Sequence, residues 1–261
     1  GLMIFVCSVE AGDPAPRYVH TISSLDDAVN AVSSFEGDAL LVASHDDDAR
    51  PSLTTREVLA RDDLASVILG GPVTSRALAL RAMTMLPRSS FGMAQRVADV
   101  VRSRVHTHVA LSSVAGLAQP RPGIGQHLRS FLPRASFDVD LESGIVRTAS
   151  RITWDTSASK EVCWASSQDQ GSLKVTLTGG NPTIVLRPRR ASPYGARRWI
   201  EVSHIEDLRT LVGATLNGTR IVACSGCGRT IPVSGCPFCG TSNLSVSVLD
   251  SSNVTSERIA S

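Results

Sequence analysis

Lysine is nearly missing from this 261-residue chain. Of 26 basic residues only Lys160 and Lys174 are lysine, a bias that reads as the base composition of the encoding gene before any recognition role. Excess charge of either sign is missing too. A net charge of +2 excludes a protein that coats nucleic acid along its whole surface and leaves only local patches. Aromatic residues make up 4%, so aliphatic side chains must build most of the core. No apolar run approaches the roughly 18 residues that span a bilayer, which excludes a transmembrane helix. The opening stretch Leu2–Val6 is too short for a signal peptide and lacks a basic lead. What remains, 42% hydrophobic and 19% charged residues, describes a globular chain with ample core.

Two textures follow each other along the chain. Over residues 1–135, apolar strand-like runs (Met3–Val9, Asp38–Ser44, Ala65–Gly71, His106–Ser112) alternate with helix-period segments (Ser24–Phe35, Thr54–Ala60, Ser75–Met85, Gly92–Arg104, Gly125–Leu132). Such alternation builds a parallel sheet covered on both faces. Ser23 or Ser24 caps the first helix, with Asp26 and Asp27 in its first turn. Residues 136–220 instead carry short β-type runs (Phe137–Leu141, Arg147–Trp154, Glu161–Ala165, Leu173–Leu177, Thr183–Arg187), a Gly179-Gly180-Asn181-Pro182 turn and a helix over Ile205–Val212. A last strand is expected at Leu244–Leu249, and 250–261 forms a polar tail. The fold class expected is therefore α/β: an N-terminal parallel-sheet sandwich, Rossmann-like or caspase-like, followed by a β-rich part whose boundary falls near 133–145.

Cysteine is used sparingly, and four of the six lie in one place. Cys224-Ser-Gly-Cys227 and Cys236-Pro-Phe-Cys239 are two CxxC pairs eight residues apart, each followed by glycine, Gly228 and Gly240. Four thiolates at this spacing can converge tetrahedrally on one Zn²⁺, and the glycines allow the tight turn after each pair. The segment over 221–243 resembles the zinc-ribbon family. That resemblance implies a closed structural Zn²⁺ site within a 221–249 module, with no coordination position left for catalysis. Cys7 and Cys163 remain single thiols, and six cysteines so arranged fit a reducing cytoplasm better than a disulfide scaffold.

A second pattern lies in the first half. A strand ends at Ser44-His45, three aspartates follow (Asp46, Asp47, Asp48), then SLTTREVL and the strand ASVILGG. This order resembles the caspase-like CHAT-type hydrolases, which implies a strand-delivered histidine, His45, in a catalytic role. Where that family carries its nucleophilic cysteine this chain has Gly70, Gly71 and Pro72. Without a thiol a histidine cannot form an acyl-enzyme, so the nucleophile is either a displaced thiol, Cys7, or absent.

Third, Arg187, Arg189 and Arg190, then Tyr194, then Arg197, Arg198 and Trp199 combine phosphate-pairing forks with stacking surfaces. Opposed to this stands a solvated loop whose arginines pair with Glu201, Glu206 and Asp207. His106-Thr-His108 places two imidazoles on one strand face. It resembles the HxH of metal-dependent deubiquitinase-type folds but lacks their following proline and downstream Ser-x-x-Asp, and reads as structural. The reading drawn from the sequence is a non-catalytic adaptor, with structural Zn²⁺, docking a protein or nucleic-acid partner through its C-terminal half. The alternative is a cysteine-type hydrolase or peptidase using His45 and Cys7.

Overall fold

A computed structural model describes residues 3–7, 19–22, 24–43, 54–132, 134–171, 173–186, 193–233 and 235–241. The first sheet has strands β1 (Met3–Cys7), β2 (Val19–Ile22), β3 (Ala39–Ala43) and β4 (Leu64–Ile68), all parallel in the order β2-β1-β3-β4. β3 is buried at every position, as a continuous apolar run within a covered parallel sheet requires. Helix α1 (Leu25–Ser33) starts where the sequence places it, Ser24 Oγ accepting from the Asp27 amide at 3.1 Å. A short helix α2 spans 54–59.

The chain then leaves this sheet. Helix α3 (Val73–Met83), a 3-10 turn (Arg88–Met93) and helix α4 (Ala94–Arg104) lead to β5 (His106–Leu111). β5 does not extend the parallel sheet, contrary to its apparent place in the alternation. It lies inside a second, six-stranded mixed sheet of order β11-β9-β12-β5-β6-β7, built with β6 (Phe137–Asp140), β7 (Ile145–Thr148), β9 (Glu161–Ser166), β11 (Ile184–Leu186) and β12 (Trp199–Ile205). Helix α5 (Ile124–Arg129) connects β5 to β6, and β8 (Ile152–Trp154) pairs in parallel with β10 (Val175–Leu177). The division between sheets thus falls ahead of residue 106 and not at 133–145.

α3 packs on β9 and β12, and α4 packs on α3, β4 and helix α6 (Leu208–Gly218). One buried cluster therefore runs from Leu40 and Val67 through Leu78, Met83 and Val101 to Val109, Phe137 and Trp199. Full burial of each such side chain stabilises by about 1.5–3 kcal/mol. A smaller cluster (Ala110, Ile152, Trp154, Ile200, Val202) lies on the other face of the second sheet. Two strands close the described chain, β13 (Ile221–Ala223) and β14 (Thr230–Pro232), an antiparallel pair. The strand expected at Leu244–Leu249 and the tail 250–261 lie outside the described residues. No helix among the described residues is long and apolar enough to cross a membrane.

Candidate functional site

The four cysteines of the two CxxC pairs converge. One ligand atom from each of Cys224, Cys227, Cys236 and Cys239 lies within 4.8 Å of the others, with Sγ–Sγ distances of 3.5 Å for Cys224–Cys239 and 3.6 Å for Cys227–Cys236. Each pair ends in the same turn. Gly228 N donates to Cys224 O at 2.8 Å and Gly240 N to Cys236 O at 2.9 Å. Both glycines have positive φ, 72° and 75°, where a side chain would be strained. Burial raises the Cys236 thiol pKa. On Cys239 burial also acts upward, but hydrogen bonds with Thr241 and neighbouring thiols bring the net shift down. This set can hold a metal ion.

The thiol cage is not a free-standing module. Ile231 and Phe238 are buried in the main core with Cys224 and Cys236, and Arg229 stacks over Phe238 at 4.6 Å while reaching Asp38 at 3.4 Å. Pro237 O accepts from Ser66 N of β4 at 3.1 Å. The next outward amide on that edge strand, Ile68 N, donates to Gln95 Oε1 at 3.0 Å, and Gln95 Nε2 donates back to Ile68 O at 3.3 Å. The ribbon and one glutamine side chain thereby close the exposed edge of the parallel sheet, a surface that would otherwise template association.

A buried polar network ties the two sheets together. Glu201 of β12, 0% exposed, accepts from Thr74 N at 2.6 Å and Thr74 Oγ1 at 2.5 Å through one oxygen, and from the Tyr194 hydroxyl at 2.5 Å through the other. Thr74 Oγ1 continues to Ser203 Oγ at 2.6 Å, which meets Thr107 Oγ1 at 2.7 Å. α3 has no side-chain cap and no acidic residue in its own first turn. Glu201 supplies both from a strand 127 residues away. Burial raises its carboxyl pKa despite these donors and Arg76.

Beside this network lies an open cleft of about 1340 Å³, larger than the roughly 300–1,000 Å³ usual for small-molecule sites. Its apolar wall includes Val105, Leu141, Trp154, Ile205 and Leu211, and Arg102, Arg104 and Arg147 stand at its margin. His106, His108 and His204 line it as well, their rings stacked in a row with Trp154. Burial, followed by the neighbouring His108 and His106, lowers the His204 pKa to about 4. Asp155, also on the cleft, is held down at about 2 by hydrogen bonds from Ser157 and Thr178.

The other residues singled out in the sequence fare differently. His45 lies outside the described residues, as do Asp46–Asp48 and Arg187, Arg189 and Arg190; Cys7 ends β1, at the edge of the parallel sheet's described part. Tyr194 and Trp199 cannot stack on bases. They are 8% and 2% exposed, packed edge-to-face at 6.1 Å, the Tyr hydroxyl spent on Glu201. Arg198 pairs with Asp169 at 3.0 Å, and Arg197 is exposed. What looked like a basic–aromatic surface is the entry to β12, the fully buried strand between β5 and β9.

No family model matches the chain, and no curated protein matches it. Solved structures do. A DegV family protein from Eubacterium eligens, loaded with heptadecanoic acid, is 9% identical over 79% of this chain and 100% of that one, with a TM-score of 0.51. The Fatty Acid Kinase (Fak) B3 protein of Streptococcus pneumoniae, loaded with linoleic acid, has the same identity and coverage at a TM-score of 0.49. A DegV family protein from Thermus thermophilus, described by its fatty-acid binding, is 11% identical at 0.46 over 78% and 99%. The first likeness sets the fold as α/β of DegV type. It overturns the caspase-like reading, and with it the hydrolase using His45 and Cys7. The adaptor reading, docking protein or nucleic acid through the C-terminal half, falls as well: the ribbon and the aromatics that motivated it are packed into the core, and the matched fold is that of a protein loaded with heptadecanoic acid.

Proposed function

We propose that this protein binds a long-chain carboxylic acid, with the chemistry of a fatty acid, in the cleft beside β5, β12 and α6. The observation that carries the reading is the cleft itself. It has the volume for an extended acyl chain and apolar side chains from Val105 to Leu211, and although Asp138, Glu142, Asp155, Glu206 and Asp207 line it too, Arg102, Arg104 and Arg147 offer forks that suit a carboxylate. The likeness of fold to a heptadecanoic-acid-loaded protein supports it. In this reading the thiol cage holds Zn²⁺ in a structural role, since four thiolates fill the tetrahedral shell. It keeps the β4 edge covered. Four cysteines gathered in a metal cage and outside any disulfide fit a reducing compartment such as the cytoplasm.

The test is a thermal melt of delipidated protein with heptadecanoic or linoleic acid. At a ligand concentration of about 100 Kd the stabilisation is ~2.7 kcal/mol, or roughly 5–10 °C for a chain of this size. Ala214→Trp, on the exposed cleft side of α6, abolishes the shift without lowering the unliganded melt. No shift with either acid rejects the reading.

A further inference from the structure

His106, His108 and His204 line the same cleft, but the acyl-binding reading assigns them no role, and their arrangement has its own logic. β5 and β12 run antiparallel with His204 directly opposite His106, and His108 is two residues further along the same face of β5. Opposed residues have Cβ atoms about 4.5–5.5 Å apart and diagonal ones about 7–8 Å, so three imidazoles from this register can reach one point. The rings lie face to face, 5.6 Å between His106 and His204 and 5.9 Å between His108 and His204.

In two of the three, the same ring nitrogen is held from behind. His106 Nδ1 sits 2.5 Å from Glu142 Oε2, and His204 Nδ1 sits 2.8 Å from Ser159 Oγ. Both arrangements leave Nε2 as the remaining ring nitrogen. For His204, which is 9% exposed, Nε2 is buried without any hydrogen-bond partner. Leaving such an atom unsatisfied is costly, and the fold bears that cost at the wall of its cleft. A ligating histidine characteristically has one ring nitrogen fixed by a carboxylate or other polar group and the other on a metal.

We infer that His106, His108 and His204 bind one divalent transition-metal ion through imidazole nitrogen, at a site separate from the thiol cage and open to the cleft. Imidazole donors without thiolate suit Zn²⁺, Co²⁺, Ni²⁺ or Cu²⁺. Three protein ligands leave a coordination position facing the cleft. Among the described residues only the four cysteines bring three or more ligand atoms within 4.8 Å, so the stacked imidazoles must turn to close on an ion. His106, with a side chain 61% exposed, has room to do so, and β5 and β12 fix the backbone on which it turns.

The experiment loads the full-length purified protein with Zn²⁺, removes free metal by gel filtration and counts zinc by mass spectrometry. Wild type retains about two equivalents, and His106→Ala and His204→Gln each retain about one. In parallel, Co²⁺ loading of both variants leaves the thiolate-to-cobalt absorption of the cysteine cage at its wild-type intensity. One equivalent in the wild type, or about two in both variants, overturns the inference. His106 is exposed, so its alanine variant decides the matter even if His204→Gln does not fold.

Discussion

Glu201 offers the sharpest test of how the two sheets are joined. Its carboxylate is fully buried and receives three hydrogen bonds, two on one oxygen from Thr74 and one on the other from Tyr194. In Glu201→Ala the Thr74 amide and the Tyr194 hydroxyl lose their acceptors, whereas Thr74 Oγ1 keeps Ser203. The buried Thr74 amide left without an acceptor alone costs ~1–3 kcal/mol, before the lost Tyr194 contact or any cavity is counted. Glu201→Gln is the controlled perturbation. Its carbonyl oxygen can still accept both Thr74 bonds, and its amide can donate to the Tyr194 oxygen. The two variants also separate by pH. Burial raises the folded-state pKa of Glu201 above its unfolded value, so the protonated form is the one that folding favours. The stability that this linkage contributes is full below the ordinary glutamate range and is lost as pH rises toward the folded pKa. Gln cannot ionise, so Glu201→Gln gains on the wild type as pH rises through that window. Urea midpoints from pH 4 upward read this directly. Parallel profiles for wild type and Glu201→Gln, or an alanine variant as stable as the glutamine one, refute the reasoning.

Further predictions concern the ribbon and its seat. A Cβ on Gly92 would lie 2.4 Å from the Thr230 carbonyl oxygen, so Gly92→Ala pushes the ribbon off the 3-10 turn and costs about 1–3 kcal/mol, read as a lowered urea midpoint. Gln95→Ala strips two hydrogen bonds from the β4 edge and loses about 1–3 kcal/mol, with faster amide exchange at Ile68 as its specific signature. Removing metal from the thiol cage with a chelator costs several kcal/mol because binding and local folding are one event. It also bares β4, so light scattering should rise on heating; an unchanged melt after chelation contradicts the role given to the cage.

Much of the first half, and the thiol cage near the C-terminus, was legible in the residues. Ser24 caps α1, Ala39–Ala43 is a fully buried strand, and the paired CxxC-Gly turns bring four sulfurs together because each element is specified by its own neighbours. The second half was harder to read for a physical reason. β12, WIEVSHI, buries all seven residues, but Glu201 and Ser203 point toward α3 while His204 points to the opposite face. Its polar positions are satisfied by Thr74, Thr107, Tyr194 and Ser159, none within six residues of its partner. Tyr194 and Trp199, interleaved with arginines, resembled a nucleic-acid platform because nothing local shows that their rings are buried. β5 misled in the same way: nothing local distinguishes the last strand of a parallel sheet from a central strand of the next one. The one signal available was His106-Thr-His108, two polar residues on the face of an otherwise apolar strand.

Whether the cleft holds an acyl acid is read most directly by mass spectrometry of an organic extract of the protein purified from its expression host. The extract should contain a long-chain carboxylic acid approaching one equivalent per chain in the wild type and far less in Ala214→Trp. An extract free of acyl acids, from protein that also fails to retain added heptadecanoic acid through gel filtration, would contradict the acyl-binding reading.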